Sequence, residues 1–290
     1  MSKKILVTGA TGNIASMVIP QLLSAGAEVR AFIHDPEKAG PLEAQGVRVH
    51  SGDFTDQDAL NAAAAGVDAV LAITPPNPDA VAQGEHILKA AQNSGGSPQY
   101  VRISAIGAAA DAPTDNGRLH HISDEAVMDS GLPYTILRPH FFMQNLFMGV
   151  ESILSQGNLY MGMGDGKLGL VDVRDISDCA VSLLLNGGHE NKVYTLTGPE
   201  SIDFHKIAEV ISETTGVKTT YVPVPLEAVG DAIRQLGWGE WGAQIMMDYS
   251  KAYAAGWGDF TNDHVKDITG RNSRSINDFC SEVLGPALKG

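Results

Sequence analysis

Two stretches of the chain carry residue types that could do chemistry. In the first, Ile5, Leu6 and Val7 form an apolar run, Gly9 and Gly12 break it, and Ile14, Met17, Val18, Leu22 and Ala25 recur with helical period. A strand, a glycine turn and a helix in that order bring free backbone N–H groups and a helix N-terminus to one point, which attracts a diphosphate. Gly9 permits the tight turn, and Gly12 lets a phosphate approach the backbone. Thr11, Asn13 and Ile14 complete the turn, and Ala15 is small enough for helix and strand to pack closely. A glycine pair alone also marks ordinary turns. The strand before it and the helix after it select a dinucleotide site over residues 5–25.

The second stretch joins Ser104, at the end of an apolar run, to His120 and Asp124. Residues four apart share a helix face, so His120 and Asp124 can meet. A carboxylate beside an imidazole favours its protonated form and fixes its tautomer, and such a pair could donate a proton. The same two residues read equally well as an exposed helical ion pair with no catalytic part. The neighbouring His121 does not make a metal site of them. Successive helical residues point about 100° apart, and no cysteine or carboxylate cluster completes a ligand set, so no metal is expected.

These residues need a scaffold, and the sequence supplies a repeating one. After the first strand, Glu28–Ile33, Val47–Ser51, Ala69–Ile73, Tyr100–Ser104 and Tyr134–Leu137 read as strands. Ala- and Leu-rich helical stretches lie between them at 36–45, 56–65, 79–94 and 118–130. Strands alternating with helices predict an α/β fold with a doubly wound parallel sheet covered on both faces. Asp175 before Ile176–Asn186 and Asp203 before Phe204–Thr214 read as helix N-caps. The expected organisation is a dinucleotide-binding domain over 1–155, to which 169–200 return, and a smaller, mostly helical substrate lobe over 201–290 with loop 156–168. Gly157, Gly162, Gly164, Gly166 and Gly169 suggest either a flexible loop near a ligand or two hairpin turns.

Composition narrows the function classes. The 290 residues carry 20 basic and 34 acidic side chains, a net charge of −14, with no basic run. A field of that sign repels phosphate backbones, so nucleic acid is an unsuitable partner. Nothing approaches the ~18 apolar residues of a membrane span, and a phosphate-binding strand at residue 4 leaves no room for a signal peptide. Cys179 and Cys280 lie far apart in helical patterns, which argues against a disulfide framework and for a reducing, cytoplasmic setting. The chain is long enough for a large core, and a homodimer is compatible with it.

Val7-Thr8-Gly9-Ala10-Thr11-Gly12-Asn13-Ile14, Gly52-Asp53-Phe54, Ser104-Ala105-Ile106-Gly107-Ala108, Ser130 to Pro139, Val171 to Ile176 and Thr269-Gly270-Arg271 occur in order. Together they resemble the NmrA-like branch of atypical short-chain dehydrogenases/reductases, over nearly the whole chain. Members of that branch include a redox-sensing regulator type and reductases of quinones, azo dyes and triphenylmethane dyes. The resemblance implies an NAD(P)-binding Rossmann fold. Where members typically carry an arginine that clamps the 2′-phosphate of NADP, this chain has His34, with Lys38 close behind. NADP(H) is therefore favoured, with NAD(H) tolerated. Asp35 could bind a ribose 2′-hydroxyl, but Asp35-Pro36-Glu37 is also a strong helix start. Asp53 matches the position that accepts from the adenine amino group, with Phe54 beside the ring, although a turn Asp would look the same. Thr74 and Pro75 stand where the usual Asn-Asn-Ala-Gly would follow strand four, and they are expected against the cofactor.

The resemblance also exposes a departure. Ordinary short-chain dehydrogenases place a Tyr and a Lys four apart on the helix after strand five, and counting back from Gly131 puts His120 and Asp124 at those positions. Without the tyrosine acid, hydride donation is easiest to an electrophile that delocalises charge: a quinone, an enone, an azo or imine bond, or a dye cation. A planar apolar substrate would be met by His140, Phe141, Phe142, Asn145, Met161, Met163 and Trp238, although such residues are as often plain core. The expected function is thus an NADPH-dependent reductase of a small planar acceptor. The competing expectation is a nucleotide-sensing regulator without turnover.

Overall fold

The computed structural model describes residues 2–289. β1 (Lys4–Thr8), α1 (Asn13–Ser24), β2 (Glu28–Ile33), α2 (Ala39–Glu43), β3 (Arg48–Ser51), α3 (Gln57–Ala64), β4 (Ala69–Ala72), α4 (Ala80–Gln92), β5 (Gln99–Ile103), α5 (Asp115–Met128) and β6 (Tyr134–Pro139) alternate as expected. Next come α6 (Val150–Gln156), β7 (Asn158–Met161), α7 (Val173–Asn186) and β8 (Lys192–Leu196). The remainder is α8 (Phe204–Thr215), β9 (Thr220–Pro223), α9 (Leu226–Gln235), α10 (Gly239–Ala254), α11 (His264–Thr269), α12 (Ile276–Phe279) and α13 (Gly285–Lys289).

Seven strands form one sheet in the order β3-β2-β1-β4-β5-β6-β8. The pairs β2–β3, β1–β2, β1–β4, β4–β5 and β5–β6 are all parallel. β4 and β5 are buried along their whole length, which explains the wholly apolar β4, whereas β5 carries Gln99 and Arg102 into the interior. The strand order reverses between β1 and β4, so the crevice beyond their carboxyl ends is where this architecture binds ligands.

The chain clusters into two compact units. The first comprises the residues up to Ala110, Gly117–Arg138 and Ile176–Tyr194, and the second Asp111–Asn116, Pro139–Asp175 and Thr195 onward. The division differs from the expected one. Residues 139–155 cluster with the second unit, and the returning segment is 176–194 rather than 169–200. Leu6, Phe32, Val70, Tyr100 and Ile136 anchor the first core, and Phe141, Leu146, Phe204, Tyr221, Tyr253 and Phe279 the second. The second unit is mostly helical, with one short parallel pair, β7–β9, that the sequence pattern did not reveal. Nor did the pattern reveal β8, at the sheet edge.

Local signals resolve several open choices. Asp35 accepts a hydrogen bond from the Glu37 N–H at 3.0 Å and caps the short turn Pro36–Lys38. Asp203 caps α8 through the Lys206 N–H at 2.8 Å. Asp175 does not cap α7, which begins two residues earlier. Asp172 accepts the Arg174 N–H at 2.8 Å, while Asp175 lies in the first turn and holds Arg274. The glycine-rich stretch is packed. A Cβ on Gly166 would stand 2.2 Å from the Tyr253 carbonyl oxygen, and one on Gly169 would stand 2.3 Å from that of Phe260. These glycines are there because another backbone occupies the space.

Candidate active site

Gly9 has φ of +60°, a conformation glycine adopts without steric cost, and a Cβ there would press on Ile73 at 3.1 Å. Thr8, fully buried, locks the same corner: its Oγ1 donates to the Ile73 carbonyl and accepts the Ile73 N–H, both at 2.9 Å. The end of β1 is thereby tied to the segment that leaves β4 and carries half-buried Thr74 and Pro75. Gly12 is the N-cap of α1 and has no side chain to satisfy the first turn, which also contains no acidic residue. Thr11, Gly12 and Asn13 are exposed, whereas Ile14 and Ala15 are buried against the sheet. Open N–H donors at a positive helix end suit an anion, so these residues fit a dinucleotide diphosphate.

Beyond the ends of β2 and β3, His34 and Asp53 face each other, with Nδ1 to Oδ2 at 3.5 Å, and both are exposed. The other Asp53 oxygen accepts from the Thr55 hydroxyl at 2.7 Å and its N–H at 2.8 Å, which holds the carboxyl below its ordinary pKa. Lys38 is exposed. Phe54 is corrected. Its ring is buried in the core with Phe32, centroids 5.4 Å apart, so it is not a free platform for a base.

The polar cluster differs most from expectation. Arg102 and Ile136 are register partners on neighbouring strands, so Arg102, Ser104 and Arg138 lie on one sheet face, by alternation along β5 and β6. α5 brings Asp124 onto them. Asp124 is fully buried; its Oδ1 accepts from Arg102 Nε at 2.8 Å. Its Oδ2 accepts from the Ser104 hydroxyl at 2.8 Å and from Arg138 Nε at 3.0 Å. His120 instead meets Arg102, with Nη2 to Nδ1 at 3.1 Å. A guanidinium has no lone pair to offer, so Nδ1 must accept and the imidazole proton sits on Nε2. Burial, followed by the charges of Arg102 and Arg138, pushes the His120 pKa down to about 3.

The expected imidazolium–carboxylate pair is therefore corrected. Asp124 organises two arginines, and His120 is a neutral N–H donor rather than an acid charged by Asp124. Ser104 changes role as well, because its single proton is committed to Asp124, so towards any further group its oxygen can only accept. With two guanidinium groups, one carboxylate and a neutral imidazole, the cluster carries net positive charge inside an acidic protein. Arg102 had escaped the sequence reading, although a lone arginine in a wholly buried strand demands such a partner. His121 pairs with Glu125 at 3.5 Å and takes no part in the cluster.

Several expected substrate residues belong to the core. His140 is 1% exposed, accepts the Phe141 N–H on Nδ1 at 2.7 Å and lies 3.1 Å from the Gly258 carbonyl through Nε2. It stacks on Tyr253 with centroids 5.5 Å apart. Phe141 and Met163 are buried with Tyr253 and Phe204 in the same core. These three are corrected from substrate contacts to packing. Phe142 and Asn145 are half-buried, Trp238 stands exposed, and Met161 lines a groove described below. Among the described residues, no group of three or more His, Cys, Asp or Glu side chains could hold a metal. No described helix is long and apolar enough to cross a membrane.

Burial keeps His120 and His140 neutral, with pKa values near 3 and 4, while both would titrate near ~6.5 once unfolded. Below that pH the unfolded chain binds more protons. The contribution to stability is therefore complete above pH ~6.5 and falls as the pH drops through the folded values. His140→Gln is expected to lower the pH slope of the unfolding free energy by about one proton near pH ~5. Urea titrations of wild type and variant at several pH values would show this, and parallel slopes would contradict it.

The NmrA-like family model matches residues 1–254. The NAD(P)H azoreductase of Xenophilus azovorans is 37% identical over 279 residues, covering 95% of this chain and 96% of that protein. The Escherichia coli NADPH-dependent quinone oxidoreductase, solved in complex with NADPH, superimposes with a TM-score of 0.86 at 25% identity, covering 97% of this chain and 99% of that one. The Citrobacter sp. triphenylmethane reductase, solved with NADP(H), gives a TM-score of 0.84 at 27% identity and covers 98% and 99%.

Proposed function

Because the chain belongs to the NmrA-like family, we propose that it is an NAD(P)H-dependent reductase that passes hydride to a small, planar, conjugated acceptor of quinone, enone, azo, imine or dye-cation type. The observation that carries this reading is the uncapped N-terminus of α1 behind the Gly9–Gly12 turn, at the point where the strand order reverses. The names of the relatives support both the cofactor and the acceptor class. Gly9, Thr11, Gly12, Asn13 and Ile14 would hold the diphosphate, and His34 and Lys38 would favour the extra phosphate of NADP(H) over NAD(H). Asp53 would accept from the adenine amino group while its pairing with His34 keeps the imidazole beside the ribose. Thr74 and Pro75 would flank the cofactor beyond β4. Two free, buried cysteines suit a cytoplasmic protein.

When bound, the reduced nicotinamide supplies the hydride. The protein's task is then to favour negative charge as it develops on the acceptor. His120 does this as a neutral Nε2–H donor, its tautomer set by Arg102, and Arg138 adds the nearby positive charge. Asp124 acts on the reaction indirectly, as a positioning residue for both arginines and for Ser104. No tyrosine acid is required for an acceptor that spreads the incoming charge.

His120→Ala is expected to reduce kcat with a neutral quinone by ~10²-fold, the scale of one lost oxyanion donor. It should alter turnover of a cationic dye little, since hydride neutralises that substrate. His120→Gln, which can both accept from Arg102 and donate, should recover much of the quinone activity. Steady-state rates at saturating NADPH check this, and equal losses with both substrates would contradict the assigned role.

A further inference from the structure

The second unit contains a groove of about 540 Å³ between α6, the end of β7, α9 and α10. Met148, Met161, Val229, Ile233 and Met246 contribute an apolar wall, and Ser250 lines it too. Ser250 is fully buried, yet its hydroxyl has no hydrogen-bond partner. A serine inside a helix ordinarily returns its hydroxyl to the carbonyl one turn back. This one does not, and a buried polar group without a partner is costly to keep. Gly162 packs closely on the same spot, with no room for a side chain: a Cβ there would stand 2.6 Å from Val229 Cγ2 and 3.2 Å from Ser250 Oγ. The flexible Met161 and Met246 side chains can shift to open the way to the hydroxyl. Glu151 is the one charged residue in the lining.

We propose that this groove is a binding site for a flat, neutral or cationic aromatic molecule whose single hydrogen-bonding oxygen or nitrogen engages Ser250. The volume lies within the range of small-molecule pockets and admits about two or three fused rings. Methionines adapt to ring faces, and one polar group set in an apolar wall fixes the orientation of a ligand. Glu151 disfavours an anionic ligand, since no lysine or arginine lines the groove to offset it. The site needs no nucleotide and stands apart from the reductase reading.

The probe is 2-naphthol, which is no hydride acceptor, with naphthalene and 2-naphthol-6-sulfonate beside it, in equilibrium dialysis against the full chain without nucleotide. One molecule of 2-naphthol should bind, and the sulfonate should bind more weakly. Ser250→Ala should weaken 2-naphthol about three- to tenfold, the scale of one net hydrogen bond, and leave naphthalene unchanged. Ala232→Trp, at an exposed position of α9 that lines the groove, should abolish binding of both while NADPH affinity stays as in wild type. Absence of 2-naphthol binding, binding that survives Ala232→Trp, or equal losses of 2-naphthol and naphthalene in Ser250→Ala would each overturn the proposal. Loss of NADPH binding by the wild type would instead count against the reductase reading alone.

Discussion

Gly12→Val is expected to abolish binding of NADPH and NADH while the fold survives. The backbone of Gly12 is extended, with φ of −88° and ψ of 170°, so valine enters without backbone strain. Its Cβ would stand 3.2 Å from the Gly9 carbonyl, a contact relieved by a shift of a few tenths of an ångström. The branches beyond it project from an exposed position over the first-turn N–H groups that a diphosphate needs. Stability should change by no more than ~1 kcal/mol, as for other substitutions outside a core. Gly9→Val is the informative contrast. There the positive φ and the 3.1 Å approach to Ile73 oppose any side chain, so stability should fall together with binding. Calorimetric titration with NADPH and urea denaturation separate the two. A Gly12→Val protein that binds NADPH normally would place the nucleotide elsewhere.

Asp124→Ala should be the most damaging substitution in the first unit. Asp124 is the carboxylate that offsets Arg102, which is 2% exposed, and it also holds Arg138 and Ser104. Removing one partner of a buried pair strands the other charge, at a typical cost of ~3–5 kcal/mol. Asp124→Asn keeps the volume and one acceptor oxygen but turns an amide N–H₂ towards a guanidinium, and should fall between the two. Removing the stranded charge as well, with Arg102→Met in the Asp124→Ala background, should recover part of the loss, because only the partly exposed Arg138 is then left without its carboxylate. Urea midpoints of the single and double variants test this. A loss below ~1 kcal/mol for Asp124→Ala would show that solvent reaches Arg102.

The same cluster shows which parts of the molecule the sequence discloses. β1, its glycine turn and α1 are legible because every signal is local: an apolar run, two glycines and a helical period within twenty residues. The cap at Asp35 is legible for the same reason, since its partner is two residues away. The partners of Asp124 are not local. They come from β5 and β6, and helical spacing alone offered His120 as the nearest candidate, whereas a guanidinium from the sheet beneath competes better for a buried carboxylate. The unsatisfied demand was visible as Arg102 amid Tyr100, Val101 and Ile103, but not its solution. His140, Phe141 and Met163 failed as substrate residues because a core and an aromatic pocket draw on the same side chains. β7, β8 and β9 are only four or five residues long and each lies at a sheet edge or in a two-stranded pair, where the pattern is too brief to register.

Transfer of deuterium tests the central claim most directly. NADPH carrying deuterium at the transferable C4 position, incubated with the protein and a triarylmethane dye cation, should yield the colourless reduced dye with one deuterium on its central carbon. One NADPH should be consumed per dye molecule, and Gly12→Val protein should give no product. Failure to consume NADPH above the uncatalysed rate with that dye, with a naphthoquinone and with an azo dye alike would contradict the reductase assignment.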